Sequence, residues 1–252
     1  MRPMLEVAGL TKRFQGVAAL AGVSLAVSEG ELVGLIGPNG SGKTTLFDCV
    51  TGYVRPDAGR IRLAGGDITR RPPHAIARAG VGRTFQAARV FPRLTVRQHC
   101  LAALQEFQPD RLGARLLRLP SARAAEASAR RRAGALLEWV GLDERGEAPA
   151  AELSYGQRKI LAFAMALMPN PRLLMLDEPM AGVSPAMVAR LAGHLRELHA
   201  RGQTILVIEH NLAAIMGLCQ RLVVLDYGRT IAEGSPERVR ADPAVVAAYF
   251  GA

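Results

Sequence analysis

Cysteine is scarce in this chain: Cys49, Cys100 and Cys219 are the only three in 252 residues. They stand too far apart for a metal or thiol-redox motif, so they read as small buried hydrophobes in a reducing compartment. A disulfide scaffold is excluded, and a chain this long needs neither disulfides nor a structural metal to bury a core. Long apolar runs are missing as well. The longest, residues 160–168, is about half of what a bilayer span requires, which excludes a spanning helix. No basic-then-apolar leader opens the sequence, so secretion is not expected. Lysine is rare: Lys12, Lys43 and Lys159 stand among 32 basic residues, and the rest are arginine. No repeat at a solenoid period and no low-complexity linker divides the chain.

What is present is an ordinary globular composition, 49% hydrophobic and 21% charged. The net charge of +10 points to an anionic partner, a nucleotide, a nucleic acid or an anionic lipid surface. The arginines are dispersed and not interleaved with aromatics, which argues against a specific nucleic-acid surface. The Arg130-Arg131-Arg132 triplet reads as a solvated helix face.

Short apolar runs bounded by Gly or Pro mark strands at 32–36, 173–176, 205–208 and 222–225. Two of them, 173–176 and 205–208, are apolar without alternation, the pattern of strands covered on both faces of a parallel sheet. Helices are expected between them, at 43–50 and 185–201. Residues 4–7, 23–27 and 60–63 read as antiparallel strands joined by tight turns, and about 87–166 as mostly helical, including 122–140.

Gly37-Pro38-Asn39-Gly40-Ser41-Gly42-Lys43-Thr44 follows the strand at 32–36 and precedes a helix. Glycines let successive backbone N–H groups turn inward on one phosphate, and the helix adds its positive N-terminal end. Lys43 would reach the β- and γ-phosphates, and the Thr44 hydroxyl would ligate Mg²⁺. Phosphoryl transfer also needs a carboxylate on the metal and a group that activates water. Asp177 and Glu178 supply both at the carboxyl end of a buried strand, where α/β sheets bind ligands.

Leu153-Ser154-Tyr155-Gly156-Gln157 stands between these motifs and opens another helix. With Asp177-Glu178 following, it resembles the signature region of the ATP-binding-cassette (ABC) ATPases. Gln86, in Arg83-Thr84-Phe85-Gln86, sits where that family has its glutamine loop; His210 matches its switch histidine, and Phe14 the aromatic residue that stacks on adenine. Tyr155 replaces a second glycine common in the family, and Ser184 replaces a common aspartate. The resemblance covers nearly the whole chain. Thr44-Thr45-Leu46-Phe47, Asp67-Ile68-Thr69, Pro72-Pro73-His74, the Arg83 stretch and the ending around Pro236-Glu237-Arg238 and Tyr249-Phe250-Gly251 are similar to the ATPases of branched-chain amino acid importers.

The resemblance implies an α/β fold with a P-loop NTPase core and mostly parallel sheet, an N-terminal antiparallel β lobe and an inserted helical lobe. Residues 1–252 would form one cassette, with the β lobe at about 1–30 and 60–70, the core at 31–59, 70–86 and 167–235, the helical lobe at about 87–166 and a C-terminal helix at 236–252. Its cofactors would be ATP and Mg²⁺. Phe14, Asn39, Gly40, Ser41, Gly42, Lys43, Thr44 and Thr45 would hold ATP on one subunit, and Ser154, Gly156 and Gln157 of a second would cap it. Thr44, Gln86 and Asp177 would serve the metal, and Glu178, His210 and Gln86 the hydrolysis. Implied partners are integral membrane permease subunits, a second ABC ATPase (a heterodimer in preference to a homodimer) and, indirectly, a solute-binding protein, with no specific nucleic acid. The implied location is peripheral, on the cytoplasmic face of the inner membrane. The alternatives are uptake of urea or short amides, a non-transport ABC ATPase acting on nucleic acid, and a binding-only cassette.

Overall fold

A strand that is apolar at every position must be covered on both faces, and three strands here are buried along their full length: β3 (Leu32–Ile36), β7 (Leu173–Asp177) and β8 (Thr204–Ile208). The computed structural model describes residues 2–85, 90–104, 120–210 and 212–250. With β6 (Val81–Arg83), β9 (Arg221–Asp226) and β10 (Arg229–Gly234) these strands form a sheet of order β10-β9-β3-β8-β7-β6. Pairing is parallel throughout except at the β9–β10 edge hairpin. The second sheet, of order β2-β1-β4-β5, is antiparallel and contains β1 (Pro3–Phe14), β2 (Val17–Ser28), β4 (Ala58–Leu63) and β5 (Gly66–Asp67).

The β1–β2 hairpin runs much further than the expected segments at 4–7 and 23–27. Its register extends from Pro3 opposite Ser28 to Phe14 opposite Val17, through several bulges. Backbone pairing recruits polar residues that carry no apolar signal of their own. The same cause adds β6 and β10, neither of which was expected from the sequence.

Among the described residues the α-helices are α1 (Lys43–Val50), α2 (Pro73–Arg78), α3 (Val96–Ala103), α4 (Pro120–Val140), α5 (Tyr155–Leu167), α6 (Pro185–Ala200), α7 (Leu212–Met216), α8 (Pro236–Ala241) and α9 (Pro243–Phe250). The expected single C-terminal helix at 236–252 is therefore two. Asp242 stands before Pro243 and is extended (φ −74°, ψ 120°), since the proline ring disfavours helical backbone at the preceding residue.

Contacts divide the chain into two compact units, residues 1–86 with 171–252, and residues 87–170. The first holds both sheets. In the second, α3 starts at a capping box in which Thr95 accepts from the Gln98 N–H and Gln98 accepts from the Thr95 N–H. The arginine triplet is more than a solvated face. Arg130 pairs with Glu126, but the Arg132 guanidinium donates to the Met168 and Leu167 carbonyls at 2.7 and 3.0 Å, satisfying the end of α5. All three cysteines are buried thiols.

Candidate functional site

The central strand β3 ends at a loop that leaves no room for a side chain at Gly37 or Gly42. Gly37 has φ 145°, and a Cβ there would lie 2.0 Å from the Leu225 carbonyl oxygen. Gly42 has φ 103°, and its Cβ would lie 2.4 Å from the Ala19 carbonyl oxygen. The loop is gripped from outside by backbone. The Gly228 N–H donates to the Ser41 carbonyl at 3.0 Å, and the Ala21 N–H donates to the Gly228 carbonyl at 2.8 Å. Gly42 is also the N-cap of α1 and has no side chain with which to cap its first turn, so those N–H groups are left to a ligand. Asn39, Gly40 and Thr44 are exposed, Thr45 is half-buried, and Ser41 and Lys43 are buried. The Lys43 Nζ donates to the Gly37 and Pro38 carbonyls, each at 2.8 Å, and to Ser41 Oγ at 3.3 Å. Burial lowers its pKa, and the charges of Glu178 and Asp177 oppose that shift.

Those two carboxylates close β7 and differ in surroundings. Asp177 is 4% exposed. Its N–H donates to Thr84 Oγ1 at 3.1 Å, and its Oδ2 accepts from Arg83 Nη2 at 3.3 Å. Burial raises its pKa, and Arg83 pulls the other way. The same guanidinium donates through Nη1 to Asp48 Oδ1 and Thr51 Oγ1, both at 2.7 Å, and lies over the rings of Phe47, Tyr53 and Phe85. Asp48 and Thr51 belong to α1 and its C-cap, so Arg83 ties the helix behind the phosphate loop to the acidic strand end. Glu178 adopts φ 48°, a costly conformation for a residue with a side chain. Its N–H donates to the Ile208 carbonyl at 3.0 Å, and its Oε1 lies 3.5 Å from His210 Nδ1. Glu209, the buried neighbour of His210 in sequence, accepts the Met180 N–H at 2.7 Å and so pins the turn that follows Glu178.

The first unit thus brings together the 37–45 loop, Asp177, Glu178 and His210. Phe14 lies at the tip of the β1–β2 hairpin, 46% exposed, with Lys12 Nζ 5.3 Å from its ring centre. Gln86 lies outside the described residues. Ser154, Gly156 and Gln157 belong to the second unit, at the start of α5. There Ser154 Oγ accepts the Gln157 N–H at 3.2 Å, and Gln157 Oε1 accepts the Ser154 N–H at 2.9 Å. Tyr155 is exposed beside Lys159. Ser184, in the place of the common aspartate, N-caps α6 by accepting the Met187 N–H at 3.4 Å.

Arg83, Asp48, Thr84, Glu209 and Tyr249 take part in this site, and the sequence alone assigns none of them a role there. The Tyr249 hydroxyl accepts the Gly37 N–H at 2.8 Å. Ser154-x-x-Gln157 is a readable capping-box signal; the other five have no local signal. Among the described residues no cluster of three His, Cys, Asp or Glu could hold a metal alone. The hard oxygens near the loop, Thr44 Oγ1 and the Asp177 carboxylate, fit Mg²⁺, which shares its shell with substrate phosphates and water.

Comparison with known proteins agrees with this geometry. Residues 20–181 match the ABC transporter family model, and residues 229–252 match that of the branched-chain amino acid ATP-binding cassette transporter. The chain is 42% identical over 251 residues to the high-affinity branched-chain amino acid transport ATP-binding protein BraF of Pseudomonas aeruginosa, covering 99% of this chain and 98% of that one. It is 41% identical to LivG of Escherichia coli K12, with the same coverage. Among solved structures, a nucleotide-free ATP-binding cassette from an ABC transporter superposes with TM-score 0.86 at 35% identity, covering 99% of this chain and 100% of that one. An ABC transporter cassette in its ADP conformation superposes with TM-score 0.86 at 32% identity, with 100% of both chains covered. No helix among the described residues is long and apolar enough to cross a membrane. A phosphate loop, an acidic strand end and a full-length likeness of this extent lead to one conclusion: the chain belongs to the ABC transporter family, as one of its ATP-binding cassettes, an ATPase.

Proposed function

We propose that this chain drives an importer for branched-chain or related amino acids, working on the cytoplasmic face of the inner membrane beside permease subunits and a second cassette ATPase, preferably a different one. The observation that carries the ATPase chemistry is the grouping of Lys43, Asp177, Glu178 and His210 at the carboxyl edge of one parallel sheet. The solute class is supported by the transport functions for which BraF and LivG are named and by the C-terminal match.

In this reading the uncapped first turn of α1 and Lys43 bind the β- and γ-phosphates, and Phe14 stacks on the adenine. Bound Mg²⁺ would neutralise charge on those phosphates, held by Thr44, Asp177 and Gln86. Glu178 takes a proton from the attacking water, and His210, facing its Oε1, fixes where that carboxylate points. A second subunit's Ser154, Gly156 and Gln157 cap the γ-phosphate, so closure excludes water and hydrolysis follows dimerisation. Opening after hydrolysis resets the permease, and a solute-binding protein delivers cargo from the other side.

Glu178→Gln tests the chemistry, because it removes the base and leaves the phosphate contacts. The variant should bind ATP and accumulate as an ATP-dependent dimer on size exclusion; hydrolysis at the wild-type rate would overturn the assignment. The solute class is tested by purifying the tagged chain from detergent-solubilised membranes with its partners and reconstituting them with the associated binding protein. ATP-driven uptake of labelled leucine is expected. Uptake of urea or a short amide instead would place the chain with the alternative solutes, and recovery only with nucleic acid would overturn the transport reading.

A further inference from the structure

Gly37 is buried, and its N–H stands where β3 ends, after the last residue of β3 that pairs with β9. A buried backbone donor needs a partner, and no side chain at position 37 could help, because any Cβ there would lie 2.0 Å from the Leu225 carbonyl oxygen. The partner comes from 212 residues away: the Tyr249 hydroxyl accepts that N–H at 2.8 Å. Tyr249 is half-buried on α9, and Val245, one turn earlier on the same face, is buried and anchors the helix. The Tyr227–Gly228 turn grips the loop at Ser41, so the loop is fixed at both its first residue and its middle by backbone or hydroxyl groups from the C-terminal part of the chain.

We propose that Tyr249 is a positioning residue of the phosphate loop. Its hydroxyl orients the Gly37 amide, and α9 thereby holds the loop ready for the nucleotide phosphates. This rests on the ATPase reading above and goes beyond it by giving the C-terminal helix a part in nucleotide affinity. Preorganisation of this kind lowers the ordering cost of binding. Linkage makes the effect reciprocal, so nucleotide in the loop must hold α9 more firmly in place.

Tyr249→Phe removes the hydroxyl and keeps the ring, and the full-length variant is compared with wild type by release of a fluorescent ADP analogue and by amide exchange. The loss of one hydrogen bond to a buried donor should speed nucleotide release about threefold to tenfold. Exchange of the 37–43 amides should accelerate in the variant. In wild type, added ATP should slow exchange across 243–250. Val245→Ala, which loosens α9 without touching the hydroxyl, should shift release in the same direction. A role confined to general stability would lower the melting temperature and leave both release and loop exchange at wild-type values, and that result overturns the proposal. Failure of wild type to bind the analogue at all would overturn the ATPase reading instead.

Discussion

The N-terminus of α1 is capped by Gly42, which has no side chain to offer its first turn, whereas the N-terminus of α5 is closed by the reciprocal Ser154–Gln157 box. Both ends can present backbone N–H groups to an anion. The first is surrounded by a buried lysine, by Gly37 and Gly42 with no space for side chains, and by a backbone clamp from the β9–β10 turn that β2 in turn holds. The second is exposed, and two of its polar groups already satisfy each other. An anion reaching α1 finds donors without side-chain competition. An anion reaching α5 finds the Gln157 N–H already bonded to Ser154 Oγ, so fewer first-turn donors are open to it. That difference suits the proposed cycle, in which the cassette would hold its own nucleotide and meet another subunit's nucleotide only on closure.

The comparison is broken most severely at the support of α1. Arg83→Met strands Asp177 in the interior and should cost about 3–5 kcal/mol of stability in a denaturant titration. A loss near zero would mean that Asp177 is held by Thr84 and the strand alone. Lys43→Ala should weaken ATP and ADP alike by about 100-fold in calorimetric binding, since a buried charge-assisted donor is removed. A loss confined to ATP would assign Lys43 to the γ-phosphate only. At α5, Ser154→Ala should cost about 1 kcal/mol of stability through the lost cap, and reduce ATP turnover while leaving ADP affinity of the isolated chain unchanged. An ADP affinity that fell with it would erase the distinction between the two ends.

Glu31, which precedes β3 at the end opposite the phosphate loop, supplies a control. Burial raises its pKa, but hydrogen bonds from Arg221 and the Ser28 N–H outweigh that and hold it below the ordinary carboxylate value. A lowered folded-state pKa means the stabilisation is present above the unfolded-state value and is lost as pH falls through the folded one. Glu31→Gln should therefore cost about 1 kcal/mol at neutral pH and converge on wild type in acid, with nucleotide affinity unaltered. An unchanged pH dependence of stability would remove Glu31 from the account.

The parts of the site that could be read from sequence are contiguous in the chain. The 37–44 run carries its glycines, lysine and hydroxyl side by side, and α1 occupies the expected 43–50. Asp177 and Glu178 follow a uniformly apolar strand. Arg83 was visible only as part of a family-like string, because its partners Asp48, Thr51 and Asp177 lie 35, 32 and 94 residues away. β6 and β10 carried no apolar periodicity, since each is recruited by the pairing of a neighbour. The break at Asp242 was readable from Asp242-Pro243, and so was the Ser154–Gln157 box; both signals are local.

By itself the sequence determined the phosphate loop, the acidic strand end and the α/β character, because each depends on residues adjacent in the chain or repeating at the period of one element, and the family likeness, because it rests on the order of such short motifs along the chain. Only the tertiary structure decided which cation steadies Asp177, which carboxylate faces His210, and that a tyrosine from the last helix satisfies the first amide of the loop. Those pairings depend on the burial of polar groups after the sheet has assembled, when each donor and acceptor must find a partner wherever the fold has brought one.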